Sequence, residues 1–288
     1  MKNNIKNPQK YFLIVVWAIV FILFTSCEKK NISNATNKNN IDTLKGNNEN
    51  SQSEIQKNYK QNINIPTGLS RLLKAYPDFL DYADSNHLYW KDGTIMLWDD
   101  GKTKSHEEKL NDPDLEDMMS QDYKAGKDWG NPPDENIEPG RIRYEPFFKK
   151  MYGNNEIEVK NNTVSLNWFG TEVLVSKING ISEKLKNIIE ELEKLSNKYK
   201  KYFKRTGGTF NWRNIAGTNR LSTHSFATAI DINTEYSDYW QWSKNLKYKN
   251  KIPMDIVEIF EKYGFIWGGK WYHFDTMHFE YRPELLIN

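Results

Sequence analysis

Two short stretches near the C-terminal end constrain this chain more than anything else in it. The first runs from Thr206 to Asp231 and holds Ser222-Thr223-His224, six further residues, and then Asp231. The second, Trp271-Tyr-His-Phe-Asp-Thr-Met-His278, holds His273, Asp275 and His278. Three of the chain's five histidines therefore fall in two segments. Together the segments offer imidazoles, one carboxylate beside them and a second in reserve. That is the donor set of a catalytic zinc, which takes three protein ligands and leaves a fourth position free.

His224 and Asp231 are too far apart in sequence to share a helix face, where neighbours are three or four residues apart. The residues between them read as a turn entering a strand. Asp231 lies between Ile230 and Ile232. If those two face a core, alternation points Asp231 to the other side of the sheet. A carboxylate held there needs a partner, and either a metal or an arginine supplies one. Asp275 and His278 sit in a tight Asp-Thr-Met-His bend. A histidine ligand with a carboxylate beside it suits a metal that activates water next to a base.

The chain begins with Lys2, Lys6 and Lys10, then an apolar run from Tyr11 to Phe24, then Thr25, Ser26 and Cys27, the single cysteine. This is the pattern of a secretory signal peptide over residues 1–26. The run is short for a membrane span, which needs about 20 apolar residues. With one cysteine there is no intrachain disulfide, and a metal site must rely on His, Asp and Glu. Without the three leading lysines, 37 Lys and Arg face 38 Asp and Glu. So balanced a surface excludes nucleic acid as an electrostatic partner. The 16 Tyr, 14 Phe and 10 Trp are enough for a core and an aromatic-lined groove.

Residues 27–63 are rich in Asn, Lys and Ser and nearly free of aromatics, the composition of a disordered tether. Fully extended, about 35 residues reach up to ~120 Å. Residues 64–140 read as an N-terminal extension without a catalytic signature. A helix is expected from Gly68 to Tyr76, with strands at His87–Trp90 and Thr94–Trp98 around a Lys91-Asp-Gly93 turn. Leu110 to Pro139 reads as a long loop with helical pieces. His87 and His106 are isolated and read as surface or packed residues.

Further along, Arg141 to Met151 is expected as a short helix, and Thr163–Phe169 and Glu172–Val175 as strands. Leu185, Ile188, Ile189, Leu192 and Leu195 give one apolar face to a helix from about Ser182 to Lys200. A second helix is expected from Pro253, at its first position, to Tyr263, with Gly264 as the left-handed stop. Phe265–Trp267 and Trp271–Phe274 read as a strand-turn-strand around Gly268-Gly269, and Met277–Arg282 as a further strand closed by Pro283. The fold class is α+β, with a small antiparallel sheet and flanking helices carrying the site.

Ser222-x-His224-x6-Asp231 followed by His273-x-Asp275-x2-His278 resembles the M15 family of zinc peptidases. That family includes D-alanyl-D-alanine carboxypeptidases and dipeptidases, and the L-alanyl-D-glutamate endopeptidases of phage endolysins. The likeness runs from about Gly208 to Leu285 and more weakly back to about Gly140, giving a peptidase domain over 141–288. It implies zinc held by His224, Asp231 and His278, Asp275 as general base and His273 as a stabiliser of the oxyanion. The arginine that polarises the substrate carbonyl matches Arg213, with Arg220 as the weaker match. Ala227 stands where the family has glycine, and a methyl there is harmless unless the backbone needs positive φ. Asp275 stands where the dipeptidases have glutamate. Phe24-Thr-Ser-Cys27 likewise resembles the lipobox of bacterial lipoproteins, in which the cysteine carries lipid, with Phe24 in place of the usual leucine.

The resemblance implies a monomeric zinc peptidase acting on peptidoglycan stem peptides, anchored by lipid on Cys27 in the bacterial cell envelope. Structural readings compete with it: His273 and His278 as core histidines, Arg213 as the partner of Asp231, Ser222 as a turn residue. A Ser-His-Asp hydrolase is the rival chemistry, but no Gly-x-Ser-x-Gly nucleophile turn occurs. A wall-binding lipoprotein on the same fold is the rival without chemistry, and such a protein has no need for Asp275.

Overall fold

A computed structural model describes residues 65–130 and 133–287. The expected signal peptide and tether, with Cys27, lie outside the described residues. Within them, α1 (Thr67–Ala75) leads into a three-stranded antiparallel sheet of β1 (Leu80–Ala83), β2 (His87–Trp90) and β3 (Ile95–Leu97). The short helices α2 (His106–Asn111) and α3 (Leu115–Met118) follow. Each starts with a reciprocal capping box, Ser105 with Glu108 and Asp114 with Asp117. Next come α4 (Glu145–Tyr152), α5 (Glu156–Asn161) and the hairpin of β4 (Thr163–Trp168) and β5 (Thr171–Ser176). The long helix α6 (Ile181–Lys194) packs on that hairpin and is followed by α7 (Lys200–Phe203). The last sheet holds β6 (Ala229–Asp231), β7 (Phe265–Trp267) and β8 (His278–Tyr281), with α8 (Met254–Lys262) leading into β7. The α+β class holds, with three small antiparallel sheets among the described residues where one was expected.

Three expected elements take a different form. The helix expected from Arg141 starts at Glu145, because Pro146 is tolerated only in a first turn. In a helix begun at Arg141 its ring would strike the preceding turn and break a hydrogen bond. The helix expected to reach Lys200 ends at Lys194, where Leu195 turns to extended backbone at ψ 149°. The break lets Phe203 enter the core and its carbonyl accept a 2.7 Å bond from the Trp168 indole. Trp271–Phe274 is not a strand. Gly268–Lys270 forms a 3-10 turn, and the amides of Trp271 and Asp275 both return to the Gly268 carbonyl, at 3.3 and 2.9 Å. A side chain at Gly269 would lie 2.1 Å from the Trp267 ring, so only glycine allows that turn.

The core lies between α6, α8 and the last sheet. Phe260 of α8 stacks on Phe279 of β8 with ring centroids 3.9 Å apart. Leu185, Ile188 and Leu192 of α6 are fully buried, as the spacing predicts. Central strand β8 pairs antiparallel with β6 on one side and β7 on the other. The extension 65–140 belongs to the same compact unit. Arg71 and Tyr76 of its first turns hydrogen-bond the Glu284 carbonyl and carboxylate, at 2.9 and 2.6 Å.

Candidate metal centre and catalytic pocket

His224 lies in a 3-10 turn, Thr223–Phe226, which Ser222 caps by accepting the His224 amide at 3.3 Å. Ser222 is thus a turn residue. Ala227 ends the turn at φ 55°, the left-handed region, and directs the chain into β6. Ile230 and Ile232 are fully buried, and Asp231 between them points to the opposite face, as alternation requires. The β6–β8 register sets Asp231 directly opposite His278.

Three side-chain atoms converge there. Asp231 Oδ1 is 3.1 Å from His224 Nε2 and 3.0 Å from His278 Nδ1, and the two nitrogens are 3.3 Å apart. The outer nitrogens decide what the inner ones are. His224 Nδ1 is 2.6 Å from the Thr209 carbonyl, which only accepts, so that nitrogen carries the hydrogen. His278 Nε2 is 3.1 Å from Glu280 Oε2, a carboxylate oxygen that also accepts from Thr223 Oγ1 at 3.0 Å. Each ring, when neutral, therefore turns a bare lone pair toward Asp231. Three acceptors at this spacing repel unless a cation or a proton lies among them. Burial works against charge on His278, but its bonds to Asp231 and Glu280 outweigh that and push it up to about 10. Burial also opposes charge on Asp231, yet His224 and His278 hold it well below the usual carboxylate range. Two imidazoles and one carboxylate fit zinc, and a metal would compete with that proton. In a second acidic group, Asp100, Asp114 and Asp117 share Lys104 Nζ at 3.1, 3.3 and 2.7 Å, so an ammonium already occupies the space among them.

The three atoms open onto a cavity of about 310 Å³ whose wall includes Asp275, His273, Arg141, Arg143 and Arg213, with Tyr239, Trp240 and Trp242 also lining it. Asp275 Oδ1 is buried and has no hydrogen-bond partner. Burial, and then the charge of Asp231, push Asp275 up to about 6. A partnerless carboxylate oxygen in this position fits a general base that awaits water. His273 also lines the cavity, but its Nδ1 is held 2.6 Å from Glu138 Oε1.

The fold brings together every residue expected at the site except Arg220. Arg213 is exposed, donates to the Asn214 carbonyl at 3.3 Å and makes no ion pair with Asp231. Arg220 lines a neighbouring cavity and reaches 3.5 Å from the Arg141 carbonyl. Three site residues were not expected: Glu138, Arg141 and Arg143. Arg143 lies 3.3 Å from Glu280. Burial, with Arg220, Arg282 and Arg141 adding to it against Glu280, lowers Arg143 to about 10. The Arg-x-Arg alternation after Gly140 was the available signal for an extended segment facing one side.

No curated protein and no solved structure matches the chain. Residues 216–281, which carry His224, Asp231, Asp275 and His278, match a peptidase M15 family model described as D-alanyl-D-alanine carboxypeptidase, and this supports a peptidase-type function.

Proposed function

We propose that this chain is a zinc-dependent peptidase acting on peptidoglycan stem peptides, of the D-Ala-D-Ala carboxypeptidase or L-Ala-D-Glu endopeptidase type. One observation carries the reading. Three acceptor atoms converge within 3.3 Å beside a buried carboxylate oxygen that has no hydrogen-bond partner, inside the segment that matches the peptidase family. His224 Nε2, Asp231 Oδ1 and His278 Nδ1 would hold the zinc. When bound, the ion supplies Lewis acidity to polarise the scissile carbonyl and acidify water.

The chain's own residues account for the rest. Asp275 accepts the proton of the attacking water and returns it to the leaving amine. Arg213 lines the cavity wall, where its guanidinium can donate to the charge that develops on the scissile oxygen, and His273 lines the same wall. Arg141 and Arg143 add positive charge to the wall, which suits a substrate rich in carboxylates. A wall-binding protein has no use for a buried carboxylate oxygen left without a partner, because leaving such an atom unsatisfied costs about 1–3 kcal/mol.

The test is digestion of purified muropeptides by the zinc-loaded protein, with products read by mass spectrometry. Release of D-Ala or a cut after L-Ala is expected, and a chelator should abolish it. Intact muropeptides after prolonged incubation would refute the reading. We further propose that lipid on Cys27 anchors the protein in the cell envelope. Cys27→Ser should then move it from the membrane fraction to the soluble or unprocessed one.

A further inference from the structure

Glu138 lies outside the segment that matches the peptidase family, and its side chain is fully buried. Burying a carboxylate is costly unless partners surround it. Glu138 has four. Its Oε1 accepts from His273 Nδ1 at 2.6 Å, from the His273 amide at 2.9 Å and from Arg141 Nη1 at 2.6 Å. Its Oε2 is 3.2 Å from His106 Nε2. Two of these contacts go to one residue, ring and backbone together, so they fix both the place and the rotation of His273. A carboxylate only accepts, so Nδ1 carries the hydrogen. The opposite ring nitrogen, Nε2, is left for the cavity that His273 lines. Trp240 closes the side of the ring, with centroids 4.6 Å apart at 70°.

We propose that Glu138 is a positioning residue for the peptidase reaction: it holds His273 in the Nδ1–H form so that Nε2 is the nitrogen presented to substrate. This rests on the peptidase reading given above. The same carboxylate orients Arg141, so one buried group from the extension sets two side chains of the cavity wall. The extension thereby contributes to chemistry that the matched segment cannot complete alone. His106 on the second oxygen keeps Glu138 from turning away. No proton needs to leave Glu138 for this role; it acts through His273 and touches no substrate.

The experiment uses the zinc-loaded protein and has two readouts. The first is kinetic, on muropeptides. Glu138→Gln should lower kcat roughly 10–100-fold, the range for groups that orient an active-site histidine, with KM and zinc content little changed. Glu138→Asp should recover part of the loss. In a His273→Ala background, Glu138→Gln should cost much less than it does in the wild type, leaving only what it loses through Arg141. Multiplying losses, or an unchanged kcat in Glu138→Gln, would overturn the proposal. The second readout needs no activity and no variant that folds poorly. Nitrogen-15 NMR of the wild-type imidazoles should show His273 with its hydrogen on Nδ1. Finding it on Nε2 would overturn the proposal even if the protein cleaved stem peptides. Finding it on Nδ1 in a protein that cleaves nothing would refute the peptidase reading and leave the Glu138–His273 pair standing.

Discussion

At the scale of single residues, Asp275 and His278 lie three positions apart and are assigned different tasks. His278 turns Nδ1 into the three-atom cluster, whereas Asp275 keeps a buried oxygen beside it without a partner. Asp275→Asn should therefore retain zinc and lose about 10²–10⁴-fold in kcat. His278→Ala should lose zinc and activity together. Elemental analysis beside the rate assay separates the two. The sign of the pH dependence follows from Asp275 being raised. A base must be deprotonated, so kcat/KM falls as pH drops through its pKa. That value is about 6 without a cation, and a bound cation favours the carboxylate and moves it lower. An acidic limb above pH 7 would contradict the assignment. Ala227 is the other informative residue. It is buried at φ 55°, where an L side chain is strained by roughly 1–2 kcal/mol. Ala227→Gly should relieve that strain, offset by about 0.8 kcal/mol of lost methyl burial, and leave thermal stability equal or slightly higher. Ala227→Val adds a β-branched side chain in that conformation and should cost several kcal/mol by strain and overpacking.

At the scale of elements, the site depends on register and on one lacing segment. Asp231 faces His278 because β6 pairs with β8 in that register, and a one-residue slip would turn Asp231 into the core. Residues 137–140 then hold the loop that carries His273 and Asp275. The Ile137 carbonyl accepts from the Tyr272 amide at 3.0 Å, and the Pro139 carbonyl from the Trp271 indole at 2.7 Å. The Gly140 carbonyl accepts from Arg282 at 2.8 Å. Gly140 itself is at φ 99°, and a Cβ there would lie 2.3 Å from Cδ1 of the fully buried Ile266 and 3.2 Å from Glu280. Gly140→Ala should cost about 2–5 kcal/mol, combining left-handed strain with overpacking. A thermal melt checks this; an unchanged Tm would show that the segment yields to a side chain at 140 without cost.

At the scale of the whole molecule, residues 65–140 belong to the same compact unit as the candidate site. Arg71 and Tyr76 satisfy the buried Glu284, and Tyr123 donates to Glu261 at 2.6 Å while accepting the Trp267 amide at 3.0 Å. Removing the extension would leave Glu261 and Glu284 without those partners and bare the apolar surface under α1. Residues 141–288 alone should therefore fail to give a cooperative melt by circular dichroism, whereas 65–288 should melt cooperatively. A cooperative transition in the shorter chain, with zinc bound, would show that the extension is dispensable.

By itself the sequence determined the candidate donors and the local geometry around them. The His224-x6-Asp231 spacing excluded a shared helix face, Ile230 and Ile232 aimed Asp231 away from the core, and the apolar spacing marked the buried face of α6. These are short-range facts, set by the two-residue period of a strand and the 3.6-residue turn of a helix. Pro146 marked the start of α4 as well, although the helix expected from the sequence began too early, at Arg141. Other features were decided only when distant parts of the chain met. Glu138 and His273 are 135 residues apart, and a buried polar pair leaves no periodic mark on either segment. The collapse of Trp271–Phe274 into a turn depends on what packs behind Gly269. Whether Ala227 needs positive φ depends on the direction β6 must take to pair with β8. Tertiary structure decided these because each is settled by what lies across a contact, and residue period carries no information about the partner.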